Sequence, residues 1–459
     1  MIHRYQKKGL NFVLDVNSGA VHLLDDISYA VSGLLDENMG DTCPQSIIDA
    51  LPDYTADEIR EAYDELYELK KAGQLFAQDD YIDVSRYIPV NAPVKALCLH
   101  VAHDCNLRCQ YCFASTGDFG QGRKIMPPEI AKKAIDFVIA RSGVRHNIEV
   151  DFFGGEPLMA WDTVTQTVDY ARSLEEKHNK KFRFTITTNG LLLNEDKRKY
   201  INENMDNCVL SLDGRREVND EFRKTVAGTG SYDTIVPKFK ALVDERDPNL
   251  DYYARGTFTS HNLDFAEDVL SIADAGFDRL SVEPVTADPG CGYDLTEDDL
   301  PKIEAEYDRL TDIMLERKKE GKPFTFFHFM VDLDQGPCVV KRLRGCGAGY
   351  EYVAVTPDGD IYPCHQFVGK DEFKQGSVLD QSFDMDIAQK FAGMNIYSRP
   401  KCQKCWAKFY CSGGCSAANY NMNHDMNDSY DLGCEMERKR LECAIYLKAM
   451  DKICANQSK

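Results

Sequence analysis

The stretch His103-Asp104-Cys105-Asn106-Leu107-Arg108-Cys109-Gln110-Tyr111-Cys112-Phe113 constrains this chain more than any other. Cys105, Cys109 and Cys112 are spaced C-x3-C-x2-C. Core packing asks for no such spacing. Three thiolates on one short loop suit three irons of a [4Fe–4S] cube and leave the fourth iron without a protein ligand. An iron with an open position can bind a further molecule and do chemistry on it. Two blander readings stand beside this one, a zinc knuckle and three unrelated buried thiols. Structural zinc takes four closed ligands, often as paired C-x2-C units, and a triplet suits it poorly.

With Tyr111 as the aromatic residue before the third cysteine, the motif resembles the signature of the radical S-adenosylmethionine (SAM) enzymes. The resemblance implies that the open iron chelates the amino and carboxylate groups of SAM. It implies further that a cluster electron cleaves the sulfonium, and that a 5′-deoxyadenosyl radical removes a hydrogen atom from substrate. Cys105, Cys109 and Cys112 are then the expected catalytic and cluster-binding residues.

Length and charge narrow the setting. A chain of 459 residues has room for about three domains. A net charge of −21 argues against nucleic acid as partner. No apolar run of membrane-spanning length occurs, and Met1 to Lys8 lacks the apolar core of a signal peptide, so a cytoplasmic protein is expected. The 17 cysteines are many for such a setting. Disulfide frameworks belong to small secreted domains, so metal or cluster ligation explains them better. Cys43, Cys98, Cys208, Cys291, Cys443 and Cys454 are scattered and read as structural thiols.

Residues 1–80 read as a small front module. Ile2 to Tyr5, Asn11 to Asp15 and Ala20 to Leu23 are strand-like, and helices are expected near 25–36, 44–51 and 56–72. Thr55 and Glu58 make a capping box for the last of these. Ile59, Ala62, Tyr63, Leu66 and Leu69 recur on one face of it, and Gly73 ends it. Three strands and three helices predict a winged-helix-like domain. It resembles the precursor-recognition element of peptide-modifying radical enzymes, in which a leader peptide adds as a strand to the sheet edge. A plain packing domain is the alternative. Residues 81–93, with Pro89 and Pro93, read as a linker.

From 94 to 320, six strand–helix pairs alternate, which predicts an α/β fold with a parallel sheet and helices outside. The resemblance implies a partial (β/α)6 radical SAM barrel. In such folds the site gathers at the C-terminal strand ends. The second strand ends in Gly154-Gly155-Glu156-Pro157, whose glycines permit close backbone approach and whose Glu156 can accept from an ammonium. In the family this motif contacts the SAM amino group. Asn189 ends the third strand, and Ser211 and Asp213 end the fourth; Ser211 resembles the family's ribose contact, and Asp213 is expected to face substrate or ribose. Arg223 is suited to bidentate capture of the SAM carboxylate, with a surface arginine as the alternative. Val282-Glu283-Pro284-Val285 ends the sixth strand, near where the family packs adenine.

Residues 321–459 hold a second cysteine field: Cys338, Cys346, Cys364, Cys402, Cys405, Cys411, Cys415 and Cys434. Gly359 precedes Cys364 as G-x4-C, and 402–415 reads C-x2-C-x5-C-x3-C. These spacings resemble the SPASM domain of radical SAM maturases. The resemblance implies two auxiliary [4Fe–4S] clusters, one on Cys402, Cys405, Cys411 and Cys434, the other on Cys346, Cys364 and Cys415. Cys338 either closes the second or leaves an iron open to a substrate thiolate. Clusters that only brace the domain, and two zinc sites, are the alternatives.

The order of module, barrel and SPASM field resembles the SCIFF-peptide maturases nearly end to end. That implies thioether cross-linking of a ribosomal cysteine-rich precursor peptide, three [4Fe–4S] clusters, SAM, and a flavodoxin- or ferredoxin-type electron donor. His365, after Cys364, is expected to support the cluster or assist proton transfer. A formylglycine-forming sulfatase maturase is the nearest rival, and a non-catalytic iron–sulfur carrier a more distant one.

Overall fold

The computed structural model describes residues 1–87, 92–334 and 339–457. Strands β1 (Ile2–Lys7), β2 (Leu10–Asp15) and β3 (Val21–Leu24) form an antiparallel sheet in that order. Helices α1 (Asp26–Ser32), α2 (Gln45–Ala50) and α3 (Ala56–Lys71) follow. The capping box at α3 forms: Thr55 N donates to Glu58 Oε2 at 2.8 Å, and Glu58 N donates to Thr55 Oγ1 at 3.4 Å. Ile59, Ala62, Tyr63 and Leu66 are its buried face.

The front sheet is covered on both sides, which follows from its period of two. Val13 packs into the cluster with Val31, Ile59 and Tyr63. Tyr5, Phe12 and Leu14 turn the other way, onto Ile445 and Tyr446 near the far end of the chain. The His3 ring stacks on Trp406 with centroids 3.8 Å apart. Lys408 Nζ lies 2.7 Å from Asp79 Oδ2. The module is therefore docked on the C-terminal part.

The expected linker is partly helical, α4 (Tyr81–Tyr87). Tyr81 packs its ring 5.0 Å from Phe409, a long-range anchor that fixes a stretch without local signals. Pro89 lies outside the described residues.

The main sheet begins with β4 (Ala96–His103), buried along its whole length, against which β5 (Lys124–Ile125) pairs antiparallel. Then come β6 (Asn147–Gly154), β7 (Lys181–Thr188), β8 (Asn207–Ser211), β9 (Asp251–Phe258), β10 (Arg279–Pro284), β11 (Thr325–Phe326), β12 (Tyr352–Val355), β13 (Asp360–Tyr362), β14 (Gly376–Ser377) and β15 (Ser382–Phe383). Their order is β11-β10-β9-β8-β7-β6-β4-β12-β13-β14-β15. Pairing is parallel from β11 to β12. It is antiparallel from β12 onward.

The connecting helices are α5 (Pro128–Arg141), α6 (Trp161–His178), α7 (Glu195–Asn204), α8 (Arg216–Phe222), α9 (Tyr232–Asp244), α10 (Phe265–Asp274) and α11 (Leu300–Lys319). Ile148, Val150, Phe152, Phe182, Phe184 and Ile186 pack with Ala134, Phe137, Val164 and Val168 from these helices in one core. The alternate strand residues are more polar, among them Asp151, Thr185, Thr187 and Arg255, and with Phe153 and Tyr253 they form the other face.

The six expected barrel strands are all present, and the parallel run continues past them. β11 adds beside β10, and β12 adds beside β4. The expected boundary after residue 320 thus cuts through the sheet. The physical reason is edge protection: without β12, the β4 backbone would leave its ladder groups unpaired. Beyond β12 lie α12 (Val339–Arg344), α13 (Met385–Gly393), α14 (Pro400–Gln403), α15 (Lys408–Cys411), α16 (Ser416–Asn423) and α17 (Asp431–Gln457). Met436 and Ala444 of α17 join the same core as Ile303 and Leu310 of α11. Among the described residues, no helix is long and apolar enough to cross a membrane.

Candidate active site

A cavity of about 300 Å3 opens at the C-terminal ends of the parallel strands. Cys105, Cys109 and Cys112 line it together with Tyr111, Gly154, Gly155, Asn189, Ser211, Arg223, Arg255, Glu283 and His365. The cysteine loop is pinned to the segment after α8. Arg108 N donates to Lys224 O at 2.7 Å, and Gln110 N donates to Phe222 O at 3.2 Å. Glycine at 154 and 155 is a steric requirement. A Cβ at Gly154, whose φ is +121°, would stand 2.3 Å from Ala102 O. One at Gly155 would stand 2.1 Å from Asp104 O. The backbone of the second strand end therefore lies directly against the loop that carries the cysteines.

Several sequence-predicted residues lie at the cavity wall, and others lie behind it. Glu156 is buried and is not among the lining residues. Its carboxylate accepts from Leu158 N at 3.0 Å, Thr188 Oγ1 at 2.8 Å and Asn189 N at 2.8 Å. Pro157 starts a short turn and is likewise buried. Asp213 is also fully buried behind the lining. Its Oδ2 accepts from Tyr111 Oη at 2.6 Å and stands 2.9 Å from Arg223 Nε, and its Oδ1 accepts from Thr257 N at 3.0 Å. Asp213 thus holds the aromatic residue of the cysteine loop and the cavity arginine in one network. Asn189 Nδ2 donates to Asn106 Oδ1 at 2.8 Å and lies 3.5 Å from Cys105 Sγ.

Burial pushes the Cys105 and Cys109 thiols up to about 12, so at neutral pH they carry protons until a metal replaces them. The Arg255–Glu283 pair was not singled out from sequence. Arg255 Nε and Nη2 grip the carboxylate at 2.8 and 2.5 Å. Burial would raise the Glu283 carboxyl, but Arg255 outweighs burial and holds it down at about 2. The available signal was alternation: Tyr253, Arg255 and Thr257 share one face of β9, opposite Tyr252, Ala254 and Phe258.

The second cysteine field converges into two groups. Cys402, Cys405, Cys411 and Cys434 line one cavity of about 200 Å3. Cys364 feels the charges of Cys415 and Cys346, and burial raises it well above the usual thiol range. His365 and Gln366, the next residues after Cys364, line the cavity of the N-terminal triplet. A further cavity of about 370 Å3 runs from Glu283 and Thr286 to Cys411, Cys415 and Cys434. Cys338 lies outside the described residues. Among the described residues, no three His, Cys, Asp or Glu side chains crowd closely enough around one point for a single ion. Donor sets made only of cysteine sulfur suit iron–sulfur clusters.

Comparison with known proteins agrees with this geometry. Residues 99–251 match the family model of the radical SAM superfamily, and residues 346–406 match that of the SPASM iron–sulfur cluster-binding domain. The chain therefore carries a radical SAM domain followed by a SPASM domain. A cysteine-type anaerobic sulfatase-maturating enzyme from Clostridium novyi is 25% identical over 354 residues, covering 72% of this chain and 90% of that protein. The solved structure of anSMEcpe with bound SAM superposes with a TM-score of 0.64 at 20% identity, over 80% of this chain and all of that one. Streptococcus suis SuiB bound to its precursor peptide SuiA superposes at 0.53 and 17% identity, over 94% of this chain and 97% of that one. These likenesses establish a shared fold.

Proposed function

We propose that this radical SAM and SPASM chain is a peptide maturase. In this reading it forms intramolecular thioether cross-links, joining cysteine sulfur to a carbon of an acceptor residue in a ribosomal, cysteine-rich precursor of the SCIFF type. The observation that carries the reading is the shared wall: His365 and Gln366, beside Cys364, line the cavity of Cys105, Cys109 and Cys112. When bound, SAM and three [4Fe–4S] clusters supply a 5′-deoxyadenosyl radical and sites for electron transfer.

The chain's own residues do the rest. Cys105, Cys109 and Cys112 hold the first cluster. Cys346, Cys364 and Cys415 hold the second, with Cys338 as candidate fourth ligand, and Cys402, Cys405, Cys411 and Cys434 hold the third. Arg223, fixed through Asp213 and Tyr111, is placed for bidentate grip on a carboxylate. Glu156 fastens Thr188 and Asn189, which keeps the third strand end at the cavity rim. The cross-link removes a hydrogen atom from the acceptor carbon and a proton from the thiol. One electron leaves as the C–S bond forms, so the product is two hydrogens lighter.

The front module supports a leader-dependent substrate. Leu23 on the outer strand β3 is exposed, and among the described residues β3 has one edge that no strand pairs, on which an extended peptide can add. The likeness to SuiB spans 94% of this chain, against 80% for anSMEcpe. A second reading, formylglycine formation, is favoured by the sulfatase-maturating relative. Anaerobic incubation with SAM, dithionite and a cysteine-rich precursor tests the reading. Release of 5′-deoxyadenosine is expected, and it should vanish in the Cys105→Ala/Cys109→Ala/Cys112→Ala variant while the remaining iron stays bound. No release from the wild type would leave only an electron carrier.

A further inference from the structure

The guanidinium of Arg399 lies between the two C-terminal cysteine groups. Arg399 directly precedes α14, which carries Cys402, and its carbonyl accepts from Cys402 N at 3.0 Å. Nη1 donates to Gly413 O at 2.6 Å, on the turn between Cys411 and Cys415. Nη2 donates to Ser416 Oγ at 3.0 Å, next to Cys415. The residue is 3% exposed, and its Nε has no hydrogen-bond partner. Among the described residues, no carboxylate forms an ion pair with it. The loop is shaped around it: at Gly413, whose φ is +90°, a Cβ would stand 2.2 Å from Nη1.

A buried cation without an anionic partner is strongly unfavourable. The sulfurs within electrostatic reach of it, which become charged when they hold a cluster, are those of Cys402, Cys411, Cys415 and Cys346. Two of these come from each proposed cluster, so the sulfurs of both groups supply the missing counter-ion together. We propose that Arg399 is the shared countercharge of the two C-terminal iron–sulfur sites and sets their reduction potentials jointly. This rests on the reading that both groups hold clusters. One-electron reduction adds a negative charge at either site. A fixed cation nearby favours the reduced form, and burial strengthens the effect. Charge and hydrogen bonding around the sulfurs are the usual levers on such potentials. Arginine suits the place because its planar fork spans Gly413 O and Ser416 Oγ while staying charged.

The experiment is an EPR-monitored redox titration of the iron-loaded protein, with iron counted beforehand, for wild type, Arg399→Gln and Arg399→Lys. In Arg399→Gln both C-terminal midpoints should fall by at least a tenfold change in the reduction equilibrium, about 59 mV for one electron. Arg399→Lys should restore most of the shift, and the site of Cys105, Cys109 and Cys112 should stay unmoved as internal reference. Unchanged midpoints at full iron, or a shift at one site alone, would overturn the proposal. If Arg399→Gln loses its iron, Arg399→Lys decides: wild-type midpoints support the charge role, and a large shift contradicts it. A wild type holding only one cluster's iron would instead sink the two-cluster reading itself.

Discussion

Asp213 buries a carboxylate with three dependants: Tyr111 and Thr257 donate to it, and Arg223 pairs with it. Removing one partner of a buried pair leaves the other charge stranded, at a cost of about 3 kcal/mol or more. Asp213→Asn should therefore lose about that much stability in chemical denaturation and bind SAM at least tenfold more weakly. Wild-type values for both would contradict the positioning role. The sequence reading turns Asp213 toward substrate or ribose, and the structure turns its carboxylate to Arg223. A lone aspartate at a strand end reads the same either way, because the choice depends on an arginine that the following helix brings back. Glu283 gives a pH prediction. Its folded value of about 2 lies below the roughly 4.3 of a free glutamate. Its contribution to stability is thus complete above pH ~4.3 and lost as pH falls toward ~2. Acid unfolding between about pH 5 and pH 2 should be shallower in Glu283→Gln than in wild type.

At the scale of elements, what was legible was local. The capping box of α3 follows from Thr55 and Glu58 alone, and Thr55→Ala should cost about 1 kcal/mol by thermal or urea unfolding. The six barrel strands were legible because each is an apolar or alternating run that a helix follows. β11 and β12 were not, because strands of two and four residues carry too little pattern; pairing with β10 and β4 makes them. The same holds for α4, which rests on Phe409. The exposed edge of β3 carries the leader proposal. Leu23→Asp, a change at an exposed side chain, should leave folding intact and weaken precursor binding by about tenfold, or ~1.4 kcal/mol. Unchanged affinity in a fluorescence-polarisation titration would refute that edge as the docking strand.

Across the whole molecule, distant parts of the chain meet at shared walls. Residues after Cys364 reach the cavity of the N-terminal triplet, and Phe12 and Leu14 rest on Ile445 and Tyr446. Spacing marked out the cysteine fields, since cluster ligation constrains sequence directly, and the SPASM resemblance divided the second field into its two groups. Spacing could not reveal Arg399, an ordinary residue until the fold buries it, or the Arg255–Glu283 pair, which only the neighbouring strands bring together. A chain loaded as proposed should hold about twelve irons, four per cube. The most direct measurement is tandem mass spectrometry of a cysteine-rich precursor peptide after anaerobic turnover with SAM. The thioether reading predicts a product two hydrogens lighter per cross-link, with one cysteine no longer alkylatable and fragmentation blocked between it and its acceptor. A linear peptide whose cysteine has become an aldehyde, or one unchanged despite SAM cleavage, would contradict it.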